Sequence, residues 1–170
     1  MSELFYLTSR HGDCGNNVMF HNKNGAGYGT NLNNLQLFTL EEAQRELRHD
    51  IKSLPLLKSE VDKLAVDHVD MQLLMDCGRP ENMNDKCVVQ INGRYDGNDI
   101  TFATFAGETY DFKEAEVVSY QYALGVASGG NAIWLHSYIQ TLARPTFQRE
   151  NINTRKMITG AGIVYKKPRK

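Results

Sequence analysis

The chain has 170 residues, 41% of them apolar and 23% charged, which suits one ordinary domain with a buried core and excludes general disorder. The formal net charge of −1 gives no global sign of a nucleic-acid protein, and no run of 18 apolar residues exists to form a membrane span. The N-terminus, Met1-Ser2-Glu3-Leu4, has neither a basic region nor a hydrophobic stretch, and the three cysteines (Cys14, Cys77, Cys87) are unclustered; a reduced, cytoplasmic, soluble protein without a secretory signal is expected.

In chain order, a strand is expected at Leu4–Ser9, then a Gly/Asn/Asp-rich turn and a second strand at Val18–His21. A turn at Asn24–Gly27 leads to a third extended stretch ending in Leu37-Phe38. Thr39 stands where an N-cap belongs, and Glu42 three residues later completes a capping box that opens a helix. Residues 1–50 thus form one β-meander–helix unit.

Leu57, Val61, Leu64, His68, Met71 and Met75 recur at spacings of 4, 3, 4, 3 and 4, with Pro55 ahead and Cys77-Gly78-Arg79-Pro80 behind. That spacing predicts a long amphipathic helix over 55–76, within a segment 51–80.

The first unit then recurs over 81–127. Cys14-Gly15-Asn16-Asn17-Val18-Met19-Phe20 matches Asp96-Gly97-Asn98-Asp99-Ile100-Thr101-Phe102 at an offset of 82, and residues 32–43 match 112–123 at an offset of 80. Strands are expected at Cys87–Asn92 and Asp99–Thr104, a turn at Ala106–Glu108, an extended stretch ending in Val117-Val118, and a helix capped by Ser119. Segment 128–170 begins with a break at Ser128–Asn131, where Asn131 suits the cap of a helix through Ile133, Trp134, Leu135, Tyr138, Ile139 and Leu142 that Arg144-Pro145 either stops or follows with another. Residues 146–157 are amphipathic and basic, Ile163–Tyr165 suits a last strand, and Lys166–Lys170 is expected to fray. The expected class is α+β: two β-meander–helix units forming antiparallel sheet, covered by the long central helix and the C-terminal helices in one compact domain.

Charge is uneven. Residues 141–170 hold eight basic residues and one acidic residue, while 1–140 hold 11 basic and 19 acidic. The candidate binding residues are therefore Arg144, Arg149, Arg155, Lys156, Lys166 and Lys167, with Phe147 and Tyr165 available for stacking. His11, Cys14 and His21 are the densest potential ligands or nucleophiles, but no CxxC or HxxxH pair accompanies them. Gly25–Thr30 and Gly125–Asn131 are not phosphate-loop signatures, although the second precedes the predicted helix and its amides suit an anion. His68 and His136 are expected to be packed histidines. No metal, cofactor or catalytic residue is expected.

Val18-Met19-Phe20, Gly25-Ala26-Gly27-Tyr28-Gly29-Thr30-Asn31-Leu32 and Leu37-Phe38-Thr39-Leu40-Glu41-Glu42-Ala43 resemble small accessory proteins of enterobacterial phages and prophages, over residues 1–45 and more loosely in the second copy. The resemblance brings no catalytic residues. It implies a non-enzymatic protein that binds and disables a host macromolecule, including defence factors, in the host cytoplasm and away from membranes. The alternative is a nucleic-acid-binding regulator that uses the basic C-terminal segment.

Overall fold

A computed structural model describes residues 3–166. The chain runs β1 (Leu4–Leu7), β2 (Phe20–His21), β3 (Tyr28–Gly29), β4 (Phe38–Thr39), α1 (Leu40–His49), β5 (Pro55–Leu57), α2 (Lys58–Lys63) and β6 (Val66–His68). It continues through β7 (Lys86–Asp96), β8 (Asp99–Thr104), β9 (Gly107–Thr109), β10 (Val118–Ser119), α3 (Tyr120–Val126), β11 (Ala132–Leu135), α4 (His136–Leu142) and β12 (Arg144–Thr146). The class is α+β, with antiparallel strands.

Two compact units divide the chain. Unit 1 joins Met1–Ala65 to Pro145–Lys170, and unit 2 is Val66–Arg144. These units cut across the four sequence segments, and they redistribute the charge. Unit 1 carries 14 basic against 9 acidic residues, or +5, and unit 2 carries 5 against 11, or −6. The basic end of the chain is thus part of a basic unit, and the acidity belongs mainly to the other.

In unit 1, β1 lies between β4 and β5, with Phe5 opposite both Phe38 and Leu57. Helix α1 starts directly after β4. Its capping box is present: Thr39 Oγ1 accepts from the Glu42 amide, and Glu42 Oε2 accepts from the Thr39 amide. Glu41 and Glu42 in the first turn and Arg48 and His49 in the last complement the helix dipole, while Ala43 and Leu47, four apart, face the core.

Unit 2 has the same order of elements in the same register. Strand β7 pairs with β10 and β11, and Cys87 stands opposite both Val118 and Leu135. Helix α3 starts directly after β10, capped by Ser119, which accepts from the Tyr122 amide. Beyond that, β7, β8 and β9 form the meander expected from sequence.

Each core is closed by a segment that arrives after the second helix of the other half. The Val69 carbonyl accepts from Ile100 N–H (3.0 Å) in unit 2, and the Phe147 carbonyl accepts from Val18 N–H (2.9 Å) in unit 1. Two residues on, Met71 N–H donates to Asn98 and Arg149 N–H to Asn16. Phe5, Phe20, Leu35, Leu56, Phe147 and Ile158 are fully buried in the first core; Val69, Val88, Ile100, Phe102 and Ile139 are fully buried in the second.

Several expected elements differ. There is no long helix over 55–76. Pro55–Leu57 is captured by β1 as a strand, only Lys58–Lys63 is α-helical, and Val66–His68 is extended. Short 3-10 turns follow at Met71–Leu73 and Asp76–Gly78. The spacing that suggested one helical stripe is spread over short elements whose hydrogen bonds go to other strands. Residues 132–135 are likewise a strand before α4, because Ile133 and Trp134 pair with β7. Asn131 caps no helix; its side chain accepts from Asn92 N–H. Residues 155–159 form a π-helical turn, and 163–166 are not a ladder strand. The expected fraying beyond Lys166 lies outside the described residues.

Phe147 is fully buried, with its ring 6.4 Å from that of Phe20, whereas Phe105 is 76% exposed. Phe147→Ala is expected to cost about 3–5 kcal/mol in urea denaturation, and Phe105→Ala less than about 0.5 kcal/mol.

Candidate functional site

Five basic residues of unit 1 line a groove between the hairpin after β1, the end of α1 and the C-terminal segment. Helix α1 ends at Asp50, whose carboxylate accepts from the Lys52 amide (3.0 Å) and lies 3.6 Å from Arg10 Nε. This turn projects Ile51 and Lys52 outward; both are exposed. On the hairpin side, Arg149 acts as a staple. Its Nε is 3.1 Å from Asp13 Oδ2, and its Nη2 donates to the Gly15 carbonyl at 2.6 Å. Gly12 sits in this hairpin at φ 101°, a backbone conformation that favours glycine.

The C-terminal segment is held along α1 by one side chain. Gln44 Oε1 accepts from Val164 N–H (2.7 Å), and Gln44 Nε2 donates to the Val164 carbonyl (3.2 Å). Two cavities therefore share Ile51 and Tyr165. One of about 520 Å³ is lined by Arg10, Lys52 and Arg149 among others, and one of about 320 Å³ by Arg48 and Lys166. Among the described residues, Arg48, Lys52 and Lys166 make no ion pair, while Arg10 and Arg149 are partnered by Asp50 and Asp13. The arrangement is an open, apolar-floored groove with surplus positive charge.

Of the residues singled out from sequence, Arg149 and Lys166 line this groove. Arg155 and Lys156 are exposed on the π-helical turn, and Lys167 lies outside the described residues. Arg144 is elsewhere: only 12% of its side chain is exposed, and its Nη2 is 2.6 Å from Asp99 Oδ1 inside unit 2. His68 Nδ1 approaches the other Asp99 oxygen at 2.9 Å. Burial works to raise the Asp99 pKa, but the hydrogen bonds and charges of His68 and Arg144 outweigh it and hold the carboxyl below its ordinary value. Arg10, Arg48 and Lys52 were missed by sequence reasoning. Arg48 and Lys52 could have been found as basic residues that flank a helix C-terminus, whereas Arg10, in the hairpin after β1, carried no such signal.

Of the remaining candidates, His11 and His21 share one aromatic partner. The rings of His11 and His21 both pack edge-on against Tyr28, at 5.2 and 4.8 Å. Cys14 is in the hairpin, where its backbone bridges to Asn17. Cys77 is exposed, and Cys87 is buried, which pushes its thiol up to about 11, Asp85 adding to the effect. His136 stacks on Phe112. Among the described residues, no three His, Cys, Asp or Glu side chains are grouped to hold a metal, and no helix is long and apolar enough to cross a membrane.

Two outcomes follow. Removing Arg144 leaves the Asp99 carboxylate, itself without solvent exposure, short of its cation. Arg144→Ala is expected to cost about 3–5 kcal/mol, and Arg155→Ala within about 0.5 kcal/mol, by urea denaturation. Burial also lowers the His21 pKa, against the upward pull of Glu46 and Asp50. The unfolded chain then holds that proton more tightly, so stability is present above the ordinary histidine value and falls as pH drops through the lower folded one. The Tm of the native chain is expected to fall more between pH 7 and pH 5 than that of His21→Gln.

No family model, curated protein or solved structure matches the chain.

Proposed function

We propose that the protein is a non-enzymatic binding protein that occupies an acidic protein partner through the cationic groove of unit 1. The observation that carries this reading is the trio Arg48, Lys52 and Lys166, without ion pairs among the described residues, set beside Ile51 and Tyr165. An apolar floor flanked by cations suits a protein segment with acidic residues around an apolar or aromatic anchor. A nucleic-acid backbone fits less well, because Asp13 and Asp50 stand among the groove's cations. With the resemblance of residues 1–45 to phage accessory proteins, the partner is a host macromolecule, a defence factor among the candidates, met in the host cytoplasm.

The test is capture from enterobacterial lysate with the tagged chain, with and without nuclease, beside the triple variant Arg48→Glu/Lys52→Glu/Lys166→Glu. One stoichiometric protein that survives nuclease and is lost in the variant is the expected result. Recovery of nucleic acid alone, or of partners that vanish with nuclease, favours the nucleic-acid reading instead. A protein partner retained by the variant moves the site off this groove.

A further inference from the structure

Unit 1 holds a further cavity, which shares no lining residue with the two of the groove. It has a volume of about 390 Å³ and lies over Leu32, Leu35 and Leu37, with Lys23, Lys58, Asp62 and Tyr6 supplying its polar groups. Tyr6 is 3% exposed, and its hydroxyl donates to Asp62 Oδ1 at 3.0 Å. Lys58 pairs with the other Asp62 oxygen, and its ammonium lies 5.8 Å from the centre of the Tyr6 ring. Lys23 Nζ donates to the Asn33 carbonyl at 2.8 Å. An ammonium has three donors, so each lysine keeps donors for a further acceptor. Burial, then the hydrogen bond and charge of Asp62, raise the Tyr6 pKa, so the phenol stays protonated and keeps Asp62 oriented.

Unit 2 supplies an internal comparison. Lys58 and His136 are each the first residue of the helix that follows the paired strand, and Leu32 and Phe112 each open the 3-10 turn after the hairpin. In unit 2 these positions carry two rings stacked at 5.0 Å, with Phe112 in the core. In unit 1 a smaller leucine and a lysine stand there instead, and a cavity results. At matching positions of one backbone frame, unit 2 thus carries a pair of stacked rings, and unit 1 a cavity with net positive charge.

We propose that this cavity binds a small organic anion: a phosphate, sulfonate or carboxylate head group carried on an apolar ring. The head group lies against Lys58 and Lys23, and the ring rests on Leu32, Leu35 and Leu37. Its size is within the usual range of small-molecule sites, and the combination of an apolar lining with few polar groups is their usual composition. Asp62 limits the affinity, because it already occupies part of the Lys58 charge.

The test uses the full chain and 8-anilinonaphthalene-1-sulfonate, read by fluorescence titration, with circular dichroism to check each variant. Saturable 1:1 binding is expected. Lys58→Gln and Lys23→Gln should each weaken it about tenfold. Asp62→Asn should tighten it by a similar factor while retaining an acceptor for Tyr6. Lys63→Gln, on the same helix but outside the lining, should leave it unchanged. A merely structural role for Asp62 would move affinity down, not up. Phenyl phosphate should displace the probe at lower concentration than inorganic phosphate. Binding that is non-saturable, or indifferent to Lys58 and Lys23, overturns the proposal. Equal displacement by inorganic phosphate overturns the part played by the apolar floor.

Discussion

The arrangement of unit 1 depends on a strand of four residues. Phe5 in β1 is opposite Phe38 on one side and Leu57 on the other. Each flanking strand runs straight into a helix, so this one register places both α1 and α2. The end of α1 then delivers Arg48, Ile51 and Lys52 to the groove, and α2 delivers Lys58 and Asp62 to the cavity. A one-residue slip of β1, buried on both faces, would exchange the side taken by Phe5 and Leu7 with that taken by Tyr6 and misplace both sites together.

Unit 2 shows which parts of this scheme belong to the backbone and which to the side chains. Cys87 replaces Phe5 at the doubly paired position, and the pairing persists. What changes is chemistry. In unit 1, Asn17 accepts a hydrogen bond from Gln148 at 2.8 Å; in unit 2, Asp99 lies between His68 and Arg144. A neutral amide contact and a buried ionic one thus stand at matching places, next to Val18 and Ile100, in one repeated frame. An ion pair so buried gives little net stability but penalises the loss of either partner.

Much of this frame was legible in sequence. The capping box at Thr39 and Glu42 and the strands at β1, β7 and β8 all rest on local signals. The helix over 55–76 was not there, because apolar spacing in a run of three-residue strands and short turns imitates a helical stripe. Nothing local reveals that Leu57 is opposite Phe5 rather than in a helix with Val61. The site was half visible for the same reason. Arg149 and Lys166 stood in an obvious basic run. Arg10, Arg48 and Lys52 join them only through folding, and Arg144, in the same run, is withdrawn to Asp99.

The way the units close also sets an order of events during synthesis. Unit 2 is continuous from Val66 to Arg144, so all its strands and helices are available once that stretch has been translated. Unit 1 is interrupted: residues 1–65 are made before unit 2, yet Phe147, Met157 and Ile158 are supplied only after it. Until they arrive, Val18 N–H lacks the Phe147 carbonyl and the core around Phe20 is open to water. The groove shares this dependence, since Arg149, Tyr165 and Lys166 belong to the same late segment. A nascent chain halted before residue 145 would have no groove, so the basic site comes into being only after all of unit 2 has been made.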